Sequence, residues 1–110
     1  MIPTLAQLHP AWIAPPKDGI GFLELSTGHR PHVVWGIHFL CPCCYTRNGG
    51  PVGTHAIHCL TLDAPKDMPP LPGRWAVMGE TLDRLTLAPS VDIPNDCHFW
   101  VRDGAIKLVV

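Results

Sequence analysis

Apolar residues in this chain fall in short runs that favour strands over helices. Val33 to Leu40 is β-branched and aromatic and leads straight into Cys41, as a buried strand would. From His55 to Leu62 the pattern alternates. It puts His55, Ile57, Cys59 and Thr61 on one face, and Ala56, His58, Leu60 and Leu62 on the other. Ile20–Leu25 and Arg74–Met78 are shorter strand candidates, the second with Trp75 and Val77 on one face. Residues 82–87, Leu-Asp-Arg-Leu-Thr-Leu, fit a strand or a helical turn. The clearest segment is the last. Cys97–Arg102 and Ala105–Val110 flank Asp103-Gly104, the dipeptide favoured by a type I′ hairpin.

Helix signals are confined to residues 4–9, where Thr4 and Gln7 have capping-box spacing and Pro10 ends the run. Residues 10–19 hold three prolines and one glycine and are expected to form an irregular arm. Residues 26–32 and 63–73 read as loops. Asn48-Gly49-Gly50-Pro51, Pro89-Ser90 and Pro94-Asn95-Asp96 read as turns. The expectation is one mostly β domain over residues 1–110, with residues 1–19 as its irregular arm. It would be a small antiparallel sheet or rolled sandwich, with a zinc-knuckle-like turn and little helix.

The 110 residues suit one small domain with a modest core, to which a metal staple would add stability. Eight lysines and arginines stand against nine aspartates and glutamates, for a net charge of −1. That balance argues against a nucleic-acid partner, since phosphate contacts dominate such affinity. No apolar run reaches membrane-spanning length. The N-terminus lacks the basic stretch and apolar core of a secretion signal, so the cytoplasm is the expected compartment. Thiols there stay reduced, and the five cysteines fit metal binding better than a disulfide framework.

Cys41-Pro42-Cys43-Cys44 is the most informative chemistry. Cys41 and Cys44 have the spacing that lets two thiolates reach one ion, and Cys43 is an alternative to Cys44. The remaining donors must come from elsewhere. Cys97 and His98 are the candidates, with His55 as the alternative nitrogen. Cys97 and His98 are adjacent, so a regular strand points them to opposite faces. One zinc ion is the simplest occupant of a sulfur and nitrogen site. Cys59 lies in an apolar strand and reads as a buried small residue.

Four stretches resemble a family of small phage, prophage and bacterial proteins, some labelled "ammonia monooxygenase". They are Phe39-Leu40-Cys41-Pro42-Cys43-Cys44, Arg74-Trp75-Ala76-Val77, Thr86-Leu87-Ala88-Pro89-Ser90-Val91, and Cys97-His98-Phe99-Trp100-Val101-Arg102-Asp103-Gly104-Ala105-Ile106. The resemblance covers residues 33–110. It implies a compact β-rich fold with zinc held by Cys41, Cys44 and the Cys97-His98 corner, and it carries no established activity. Family members place a glycine near the cysteine turn, whereas here none follows until Gly49.

Two functions are compatible with these residues. One is a non-enzymatic protein, phage or prophage encoded and acting in the host cytoplasm. Its zinc would be structural and its partner another protein, in an accessory, host-modulating or anti-defence role. The alternative is a zinc-dependent hydrolase with an open coordination position, for which Asp96, Asp103 or Glu80 would be the general base. No His-Glu-x-x-His motif is present. Ser90 and His98 have the residue types of a nucleophile and its base, but no third orienting group is evident.

Overall fold

The computed structural model describes residues 2–26, 29–70 and 73–109. Thr27 and Gly28 of the expected 26–32 loop, Leu71 and Pro72 of the 63–73 loop, and Val110 of the last strand lie outside the described residues. Two four-stranded antiparallel sheets make up the fold. The first holds β1 (Ala11–Ala14), β2 (Leu23–Leu25), β3 (Gly36–Leu40) and β4 (Ala56–Leu60), in the order β2-β1-β3-β4. The second holds β5 (Ala76–Met78), β6 (Thr86–Ile93), β7 (Cys97–Arg102) and β8 (Ala105–Leu108), in sequence order. The mostly β expectation therefore holds.

The sheets share one core. Trp12, Ile37, Phe39 and Cys59 from the first meet Val77, Leu87, Val91, Phe99 and Val101 from the second. Phe39 and Phe99 pack edge to face with ring centres 6.0 Å apart, a favoured aromatic geometry. A smaller cluster of Ile13, Leu60 and Ala64 covers the other face of the first sheet.

Three expectations are corrected. The short helix expected over residues 4–9 is a 3-10 helix spanning Leu5–Leu8, where Gln7 Oε1 accepts the Thr4 N–H at 2.8 Å, but the expected irregular arm is not irregular throughout. Residues 11–14 then form β1, buried along its whole length. Its prolines lie at the flanks, and the strand is apolar on both faces because both faces are covered. The cysteine turn is the first turn of a helix, α1 (Pro42–Asn48). Pro42 suits the opening helical position, where no N–H is needed, and Gly49 closes α1 in the left-handed region. Finally, Pro89-Ser90 is not a turn but lies inside β6.

That proline is tolerated because β6 breaks register there. Leu87 pairs with Val101 and Val91 with Phe99, so β6 uses four residue steps (91 − 87) where β7 uses two (101 − 99). A bulge of this kind is where a strand accommodates proline and re-aims its side chains.

The terminal hairpin forms as its sequence requires. Asp103 has φ 47° and Gly104 φ 79°. Gly104 also ties the sheets' periphery together, donating to the Leu85 carbonyl at 2.8 Å and accepting from the Leu5 N–H at 2.9 Å. A Cβ on Gly104 would collide with the Asp83 carbonyl. Gly104→Ala therefore combines backbone strain with a clash. It is expected to cost on the order of 2 kcal/mol or more, read as a melting temperature lowered by roughly 10 °C.

Candidate functional site

Cys41 caps α1, and its N–H bonds the carbonyl of His55 at the head of β4. Cys44 lies one helical turn on and faces the same way. The 94–96 turn brings Asp96 to both. Cys44 Sγ stands 3.2 Å from His55 Nδ1, and the Asp96 carboxylate lies 3.5 Å from His55 Nε2. The thiols of Cys41 and Cys44 are 3.8–3.9 Å from that carboxylate. Donors about 2.0–2.3 Å from one tetrahedral ion stand roughly 3.3–3.8 Å from each other. The ligand atoms of Cys41, Cys44, His55 and Asp96 all fall within 4.8 Å of one another. Two sulfurs, a nitrogen and a carboxylate oxygen form a donor set that suits zinc.

Charge is arranged to match. Arg47, one turn beyond Cys43, donates to Asp96 Oδ1 at 2.9 Å and to Cys44 Sγ at 3.1 Å. Its hydrogen bond is the main reason the Asp96 carboxyl sits below the usual carboxylate range. Burial raises the Cys41 thiol above its ordinary value, and the neighbouring Cys44 thiol adds to that. A metal would reverse this by stabilising the thiolate.

Cys43 and Cys97 stand apart from this cluster. They are joined in a disulfide that ties α1 to the start of β7 across 54 residues of sequence. This differs from the expectation of uniformly free thiols. With Cα atoms 5.8 Å apart, the two residues lie within bonding reach. Cys59 is buried among apolar neighbours, and burial pushes its thiol well up.

His98 does not face the cysteines either. β7 alternates as the sequence requires, with Cys97, Phe99 and Val101 buried and His98, Trp100 and Arg102 turned outward. On that outer side the bulge in β6 presents Ser90. Ser90 Oγ lies 2.9 Å from His98 Nε2. The Ser90 carbonyl accepts the Trp75 indole N–H at 3.3 Å. Asp92 is the register partner of His98 and shares its face. Among the described residues, no carboxylate lies within ion-pair distance of the His98 ring. The pair is a hydroxyl and an imidazole set for proton transfer.

A third group lies on the first sheet. His38 Nδ1 is 3.4 Å from Glu24 Oε1, and the rings of His38 and His58 are 4.8 Å apart. Partial burial, with His38 nearby, holds His58 below the ordinary histidine value. The spacing of Glu24, His38 and His58 would also admit a cation.

Of the residues singled out from sequence, the structure gathers Cys41, Cys44 and His55. It assigns Cys43 and Cys97 to each other and His98 to Ser90. Asp96 was not foreseen as a ligand. Its signal was the Pro94-Asn95-Asp96 turn immediately before Cys97, which fixes a carboxylate beside the cysteines.

A family model described as "Bacterial ubiquitination-like system serine protease (BubE)" matches residues 18–109. The match takes in both cysteine pairs, Ser90 and His98, and begins upstream of the stretch that carried the sequence resemblance. No curated protein and no solved structure matches the chain. Matched over most of its length, the chain belongs to the BubE family, described as serine proteases of a bacterial ubiquitination-like system.

Proposed function

We propose that this protein is a serine hydrolase of polypeptide substrates, with Ser90 as nucleophile and His98 as its base, on a scaffold held by one structural zinc. The observation that carries this reading is the 2.9 Å contact between Ser90 Oγ and His98 Nε2, together with the serine protease description of the family. As Ser90 Oγ attacks a substrate carbonyl carbon, its proton passes to His98 Nε2. The imidazolium then gives that proton to the leaving group as the carbonyl–leaving-group bond breaks. Water, deprotonated by the same imidazole, releases the acyl group from Ser90 and restores the hydroxyl. Asp92, across the ladder from His98, makes no ion pair with the ring, so the reading rests on the serine–histidine pair alone.

The metal belongs to the scaffold in this reading. Cys41, Cys44, His55 and Asp96 would hold it, and four protein donors leave no open position for water. That favours a structural ion over the zinc-hydrolase alternative. The protein contact expected from sequence becomes contact with the substrate chain.

Two measurements test this. A fluorophosphonate probe should label the protein, with the adduct mapped to Ser90 by mass spectrometry. Ser90→Ala should abolish labelling and His98→Ala slow it at least about 10³-fold, with melting unchanged in both. Labelling that persists in Ser90→Ala would overturn the assignment. Elemental analysis of protein purified without added metal should find close to one zinc per chain. Chelation should lower the melting temperature, because binding energy at such a site is folding energy. Cys41→Ser should lose the metal, and a metal-free protein with unchanged melting would exclude the zinc.

A further inference from the structure

β4 is the outer strand of its sheet. Its hydrogen bonds to β3 and the adjoining chain run through alternate residues. The His55 carbonyl accepts from Cys41 N–H at 2.9 Å, and Thr61 N–H donates to the Trp35 carbonyl at 2.8 Å. Strand alternation therefore points the backbone groups of Ala56, His58 and Leu60 away from β3. The Leu60 carbonyl is taken by Trp75 N–H at 2.8 Å. Those of Ala56 and His58 face a groove of about 590 Å³.

The opposite wall is also a strand edge. β5 pairs with β6 only over Thr86–Ala88, and among the described residues no other strand pairs with β6 on that side. The Ser90 carbonyl points there, toward the Trp75 indole. Asp92, two residues on, repeats that direction. Ile57, Val91 and Ile93 give the walls an apolar lining. Trp75 lines the groove and touches Ser90, so the groove adjoins the hydroxyl–imidazole pair.

We propose that this groove binds an extended segment of the substrate polypeptide, added as a strand to the outer edge of β4 and leading to Ser90. Placing the scissile bond at Ser90 rests on the nucleophile assigned above; binding of the segment does not. The occupant follows from the chemistry of the walls. Unpaired N–H and C=O groups on a strand edge are matched in register by another extended backbone. A helix keeps its own backbone bonds and offers none. The apolar lining of Ile57, Val91 and Ile93 suits apolar side chains.

The test uses the 15N-labelled Ser90→Ala chain, which binds without turnover. The probe is a pool of acetylated, amidated hexapeptides randomised among Gly, Ala, Val and Ser. Hydrogen exchange at the Ala56 and His58 amides should slow at least about tenfold at millimolar pool. The same pool N-methylated at alternate residues should give no protection, because it cannot complete the ladder. Ala56→Pro, which removes one outward N–H and no bond to β3, should weaken binding by a similar factor. Unchanged exchange at both amides, or equal protection by the N-methylated pool, overturns the proposal. Fluorophosphonate labelling of the wild-type chain separates the two readings. Labelling without protection removes the groove alone, and protection without labelling removes the nucleophile alone.

Discussion

The short stretch from Asp96 to His98 is the joint on which the rest depends. Asp96 reaches Cys41, Cys44, His55 and Arg47. The next residue is bonded to Cys43, and the one after meets Ser90. Three consecutive residues thus connect the helix after β3, the head of β4 and the outer face of the second sheet. Strand pairing alone would let β7 slip against β6, and a one-residue slip would turn His98 inward. Anchoring Asp96 and Cys97 to α1 fixes the start of β7. The imidazole is positioned from a point two residues away.

The same joint sets the division of labour between the two clusters. Four protein donors around one point make a closed site, good for holding chain segments together and poor for activating water. Arg47 contributes positive charge against the carboxylate and Cys44, which lowers the repulsion among donors brought close. Ser90 and His98 lie outside this ring, half-buried on the sheet surface. The candidate metal donors and the serine–histidine pair are thus linked through residues 96–98 and occupy separate places.

Legibility in the sequence followed how local each determinant was. The Asp103-Gly104 hairpin was readable because its turn needs two positive φ values and the dipeptide supplies them. Cys41 and Cys44 were readable as a pair, although the helix that spaces them was not, because Pro42 suggests a turn as well as a first helical position. His98 is read into the metal set through its neighbour Cys97, whereas in the structure it meets Ser90. Strand alternation already placed the two on opposite faces. β1 was hidden by the prolines on either side of it, and its four buried residues make sense only once both covering layers exist. Asp96 carries only a weak signal as a ligand since carboxylates at turns are commonplace; the tertiary approach of α1 gives it partners.

The largest miss was β6, and it bears most directly on chemistry. A proline and a serine in a run of apolar residues normally mark a turn. Here the bulge lets the chain carry both through a strand and changes what Ser90 can do. In a regular central strand, both edges of the backbone are bound to neighbours. The pairing of β5 with β6 ends at Ala88, so Ser90 has β7 on one side and the groove on the other. Its hydroxyl is committed to His98 while its carbonyl looks toward Trp75. A hydroxyl in that position sits on a strand yet borders a groove, a combination that a loop residue or a fully paired strand residue lacks.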